Sequence, residues 1–131
     1  MKVWALSGIS AIAIVALVGC QTTEERLKKA NERNLTNAEL TEMFSIARDA
    51  TWTNPRGSSG TISYKPDGRA AVNWGSGGDT GVWRVVDNTF CQKWKSTNGG
   101  KEHCMRVYRG KNGGITQINL DGSERGTMKF Q

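Results

Sequence analysis

The chain has 131 residues, 18 Lys and Arg against 12 Asp and Glu, and a formal net charge of +6. That is a one-domain length. Gly is abundant at 16 residues, Pro is scarce at 2, and three cysteines are present, so pairing two of them leaves one to be explained.

The first nineteen residues carry one charge, Lys2, followed by a run from Val3 to Val18 in which Ser7, Gly8 and Ser10 alone interrupt apolar side chains. A basic start, a short apolar stretch and a small-residue end are the parts of a secretory signal, and the run is slightly short for a bilayer span of about 20 residues. Its end, Leu17-Val18-Gly19-Cys20, resembles the lipobox of bacterial lipoproteins. The resemblance implies cleavage before Cys20 and acylation of that cysteine, which accounts for the odd thiol. Each buried methylene contributes about 0.8 kcal/mol, so several acyl chains hold a protein on a membrane essentially permanently. Gln21 stands where inner-membrane lipoproteins would have Asp, so the resemblance further implies outer-membrane sorting, facing the periplasm. Residues 1–19 are therefore expected as a signal peptide.

Without them the chain keeps 17 basic and 12 acidic side chains and stays basic. Residues 20–34 include QTTEERLKKANERN, whose apolar side chains are Leu27 and Ala30, too few for a buried face. The segment reads as a polar tether with transient helix supported by Glu and Lys at i, i+4 spacing. A single β-rich domain is expected over residues 35–131. It opens on a helix: Thr36 and Glu39 form a Thr-x-x-Glu capping box, and Leu35 is placed to staple onto Leu40. Leu40, Met43, Phe44 and Ala47 recur at i, i+3, i+4 and i+7, a stripe of the width a helix needs to pack on a sheet.

Beyond Trp52 the pattern changes to short β-rich runs separated by turn signals. Seven strands are expected, at 61–65, 69–74, 82–87, 90–95, 103–109, 115–120 and 127–130. Tight Gly- or Asn-containing connections make neighbours pair antiparallel, and no helical crossover permits a parallel sheet. The fold class is mainly β, an antiparallel meander forming a twisted sheet or small barrel with one N-terminal helix packed on it. Alternation predicts inward positions at Ile62, Tyr64, Val72, Trp74, Trp83, Val85, Phe90, Met105, Val107, Ile118, Leu120, Met128 and Phe130.

Cys91 and Cys104 flank a hairpin whose turn falls near Asn98-Gly99-Gly100, and a simple register sets them opposite each other with Phe90 facing Met105. A structural disulfide is expected, on the face opposite Phe90, Trp94 and Met105. Closing a loop of this size is worth about 3 kcal/mol in the chain-entropy model. A metal site is disfavoured because His103 and Cys104 are adjacent on one strand and point to opposite faces. A redox couple would show closer Cys-x-x-Cys spacing.

Catalytic constellations are not evident. His103 is the single histidine, no Gly-x-Ser-x-Gly occurs, and the Gly-rich stretches lack the Gly-Lys-Ser/Thr ending of a phosphate loop. Asp49, Asp67, Asp79, Asp87 and Asp121 each sit at a turn or element end, where the carboxylate caps backbone N–H groups. No enzyme activity, cofactor or metal is expected. What is distinctive is basic and aromatic interleaving. Lys93, Trp94 and Lys95 with Arg106 and Tyr108 form the candidate ligand patch around the disulfide. In an exported protein such a patch meets anionic glycans and lipid headgroups rather than nucleic acid.

From Leu35 onward the order Leu-Thr-x-x-Glu-Leu, Thr-x-x-x-Tyr-x-x-Asp-Gly, Gly81-Val82-Trp83-Arg84-Val85, Phe90-Cys91-Gln92-Lys93-Trp94, Cys104 and Asp121-Gly122-Ser123 resembles a family of small exported bacterial domains of unknown function. The resemblance implies a fold and transfers no catalytic residue. The expected function is a membrane-anchored, non-catalytic binding or sensing module for an anionic envelope component. An interaction or enzyme-inhibitor lipoprotein is the alternative.

Overall fold

The computed structural model describes residues 21–110 and 113–131. The signal segment, the lipobox and Cys20 lie outside the described residues. Two short helices, α1 (Thr23–Lys29) and α2 (Asn37–Met43), precede eight strands. These are β1 (Arg48–Thr53), β2 (Ser59–Tyr64), β3 (Arg69–Trp74), β4 (Gly77–Val86), β5 (Thr89–Trp94), β6 (Glu102–Arg109), β7 (Ile115–Asn119) and β8 (Glu124–Phe130). Each strand pairs antiparallel with the next, and β1 pairs with β8, closing a barrel. Closure removes both free edges of the sheet. Among the described residues, no helix is long and apolar enough to cross a membrane.

The meander is as the turn signals predict, with one strand more than the seven expected. The addition is β1, whose sequence RDATWT shows little alternation because its inward positions are Ala50 and Trp52 and its outward ones are polar or charged. β4 also begins earlier, at Gly77, within the Gly-rich stretch expected to be loop. Without β1 the sheet could not close, since it supplies the partner for both β2 and β8.

At one end of the barrel α2 enters, its first turn capped by Thr36 and Glu39 as expected: Thr36 Oγ1 accepts from Glu39 N, and the Glu39 carboxylate accepts from Thr36 N. Leu35, Leu40, Met43 and Phe44 are buried, whereas Ala47, the last residue of the predicted stripe, lies past the helix and is exposed. Phe44 is the plug. Its ring packs against Tyr64, Trp83, Phe90 and Phe130 with centroids 4.5 to 6.1 Å away. Arg48 completes this end by donating from Nε to Met43 O at 2.7 Å and setting its guanidinium over Phe130. Asn37 and Asn88 tie the helix to the β4–β5 turn through reciprocal side-chain to backbone hydrogen bonds of 2.6 and 2.8 Å.

Most of the predicted inward positions are buried, and three are not used as expected. Leu120 is exposed in the turn after β7, and Trp74 lies at the rim of the open end. In β7 the parity is inverted. Ile115 and Gln117 face inward while Ile118 pairs with the outward Arg106 and is buried on the outer face. Hydrophobicity alone marks Ile118 as core because the residue that fills the inward position is a glutamine.

Candidate functional site

The disulfide is formed between Cys91 and Cys104, directly opposite each other in the β5–β6 register, with Phe90 opposite Met105. The connecting turn uses Asn98, Gly99 and Gly100 at positive φ, conformations that Asn and Gly adopt at least cost. Cys91, Cys104 and Glu102 are the grouping of potential metal donors within 4.8 Å among the described residues. Their chemistry does not suit a metal: the sulfurs are bonded to each other, and Glu102 is held in a two-point pair by Arg84 at 2.6 and 2.9 Å.

The five residues of the candidate patch divide three ways. Lys93 and Lys95 are exposed on the outer face, as expected. Trp94 points inward and is 6% exposed, its ring lying behind Gly81 on the neighbouring strand. Arg106 and Tyr108 are on the outer face but are covered. Arg106 donates to both carboxylate oxygens of Glu24 at 2.6 and 2.8 Å, and Tyr108, fully buried, donates its hydroxyl to Glu24 at 2.8 Å.

Glu24 belongs to α1, so the segment expected to be a tether holds a helix docked against β6 and the β7–β8 turn. Its Glu24 N–H also donates to Gly122 O. The hydrogen bonds from Arg106 hold the Glu24 carboxyl below the usual range, against the opposing effect of burial. Burial first, and then the bond to Glu24, pushes Tyr108 up to about 12. A signal for this helix is present in the sequence. Thr22 and Glu25 form a second Thr-x-x-Glu capping box, with Thr22 Oγ1 accepting from Glu25 N and Glu25 accepting from Thr22 N.

Lys93 and Lys95 instead join Lys65 and Arg69 around a groove on the outer face of β2–β5, about 650 Å³ in volume. The register explains its shape. Arg69, Val82 and Lys93 form one cross-strand row, and Ser63, Ala71 and Thr80 form the next, which ends at Lys95 through its N–H bond to Thr80 O. Small residues make the floor and long cationic ones the rim, with exposed Val82 in the floor. Arg69 is paired with Asp67 at 2.7 Å in an exposed ion pair, and Lys93 lies opposite Glu102. Lys65 and Lys95 form no ion pair with a described residue. Positive charge therefore exceeds negative along the groove.

The remaining polar candidates serve the fold. His103 is half-buried, not solvent-exposed as a hairpin position suggests, and its Nε2 is 2.8 Å from Asn119 Oδ1. Asp79 accepts from the N–H groups of Ser96 and Thr97 and from the Thr97 hydroxyl, which hold its carboxyl down at about 2. Asp67 and Asp121 accept from N–H groups two residues on, as turn aspartates do.

The chain is thus a closed eight-stranded antiparallel barrel, plugged by a helix at one end and grooved on one flank. Comparison of the chain with protein-family models, with curated proteins and with solved structures finds no match.

Proposed function

We propose that the protein is an exported lipoprotein, anchored to the cell envelope through acylated Cys20, whose barrel binds anionic envelope material without catalysing a reaction. Its ligand groups are carboxylates or phosphates of a glycan or a lipid headgroup. One observation carries the reading: four basic side chains, Lys65, Arg69, Lys93 and Lys95, rim a concave strip floored by Ala71, Thr80 and Gly81. Such a strip suits an extended chain of repeating negative charge, because cations two strands apart are spaced at roughly 10 Å. It concentrates anions by its summed field rather than by one deep contact. The outer-membrane location facing the periplasm belongs to this same proposal.

The test is retention of the full mature domain on isolated envelope material and on vesicles with and without phosphatidylglycerol. Replacing Lys65, Lys93 and Lys95 together by Gln should reduce retention at least tenfold, and added salt should weaken the parent protein in the same way. Retention on glycan-free anionic vesicles assigns the headgroup, and retention on lipid-stripped wall assigns the glycan. Unchanged retention by the triple variant overturns the proposal. Stoichiometric recovery of a single envelope protein by parent and variant alike would favour an inhibitor or interaction role instead.

A further inference from the structure

The barrel end opposite α2 is built differently from the plugged end. Trp52, Trp74 and Trp94 each stand directly opposite a glycine on the adjoining strand: Gly60, Gly77 and Gly81. The indoles cover those glycines. A Cβ added at Gly60 would lie 2.8 Å from Trp52 Cζ2, one at Gly77 2.8 Å from Trp74 Nε1, and one at Gly81 2.8 Å from Trp94 Cε3. Three large side chains thus lie along the wall instead of filling the lumen. A cavity of about 290 Å³ remains between them, with Ile62, Val72 and Met128 as its apolar surface.

Two carboxamides project into this space. Gln92 and Gln117 are 6% and 5% exposed, yet both line the cavity. Tyr64 donates its hydroxyl to Gln92 Oε1 at 2.9 Å, which fixes the amide and leaves its NH2 group free to donate. No side-chain hydrogen bond links Gln117 to a described residue, although buried amides ordinarily have partners. The wall also contains the buried Trp52 Nε1, for which no acceptor is present among the described residues. Donors therefore outnumber acceptors at this end of the barrel. Arg125, exposed at the rim, is the charged side chain of the lining.

The geometry points to a binding site in the barrel mouth for a small, flat, uncharged ring compound bearing a carbonyl or amide, held between the tryptophans with its polar edge on Gln117 and Gln92. The cavity is near the lower end of the range for ligand sites, about 300 Å³, which limits the occupant to a single ring system. A charged group held deep against Ile62, Val72 and Met128 would be buried away from Arg125, whose exposed side chain stays at the rim. A pyranose is disfavoured for the same reason, since several of its hydroxyls would face those apolar side chains. An aromatic ring matches the indole walls by stacking or edge contact.

Trp94 borders both this mouth and the outer groove, but none of the groove's lysines lines the mouth. Benzamide is a suitable probe, with benzoate and toluene as its anionic and apolar counterparts. Titration of the 15N-labelled mature protein should give saturable shifts of the three indole N–H signals and of the Gln117 side-chain amide, with benzamide the tightest of the three. Nuclear Overhauser contacts should join benzamide ring protons to Trp52, Trp74 and Trp94. Gln117→Leu should weaken benzamide about tenfold, the size of one lost hydrogen bond. The Lys65, Lys93 and Lys95 triple variant should bind benzamide as the parent does. Absence of these contacts in the parent protein, or equal benzamide affinity in a folded Gln117→Leu variant, would overturn the proposal.

Discussion

Glu24 joins a helix of mixed charge to the wall of the barrel through one carboxylate. It accepts from Arg106 and Tyr108 together and is itself buried, 82 and 84 residues away from them in the chain. Replacing it by Gln leaves Arg106 and Tyr108 without their charged acceptor, and should cost about 2 kcal/mol in chemical denaturation. The pH dependence has a definite sign. The folded-state carboxyl lies below the usual glutamate range because Arg106 and Tyr108 donate to it, so its contribution is present above that range and is lost as pH falls through the folded value. Glu24→Gln should abolish that part of the acid slope. An acid slope between about pH 5 and about pH 2 that is the same in the parent and in Glu24→Gln would show that the ion pair does not stabilise the fold. Arg106 and Tyr108 illustrate what sequence spacing leaves open. Their outward orientation follows from alternation, but their cover comes from a segment whose composition reads as solvated.

Among the elements, the β5–β6 hairpin is the most fully specified. Its register, its turn and its bridge all follow from two cysteines and Asn98-Gly99-Gly100. Replacing both cysteines by Ala should lower stability by about 3 kcal/mol, and reductant should lower the parent protein by a similar amount while leaving the double variant unchanged. Denaturation midpoints with and without reductant would check this. β7 is the opposite case. A five-residue strand with apolar side chains at Ile115 and Ile118 fits either parity, and the inward choice is settled by pairing to β6, where Met105 and Val107 already face the core. The result places Gln117 inside and Ile118 outside. β1 was hidden for a related reason: one inward residue is a small Ala50, and the other, Trp52, lies alone among polar neighbours.

At the scale of the molecule, one barrel has two unlike ends. Phe44 fills the α2 end through four aromatic neighbours, so Phe44→Ala should cost about 3 to 5 kcal/mol and lower the thermal midpoint accordingly. The same substitution should leave the benzamide contacts at the other end in place under conditions where the variant is folded. Tyr64 spans the two halves: its ring packs on Phe44 and Phe90, and its hydroxyl reaches Gln92 at the edge of the cavity. Burial raises the Tyr64 hydroxyl far above the usual phenol range, so it remains a donor to Gln92 at neutral pH.

The amino-acid sequence by itself determined the antiparallel meander, the capped helix, the hairpin register and the disulfide, because each depends on residues close together in the chain and on local periodicity. It also placed Lys93 and Lys95 on the outer face. Tertiary structure alone decided that the sheet closes, that Lys65 and Arg69 join those lysines, that Glu24 covers Arg106 and Tyr108, and that three tryptophans and two glutamines meet at one mouth. Those outcomes depend on which strands become neighbours around a closed ring, and strand closure is a long-range pairing of β1 with β8 that no local pattern encodes.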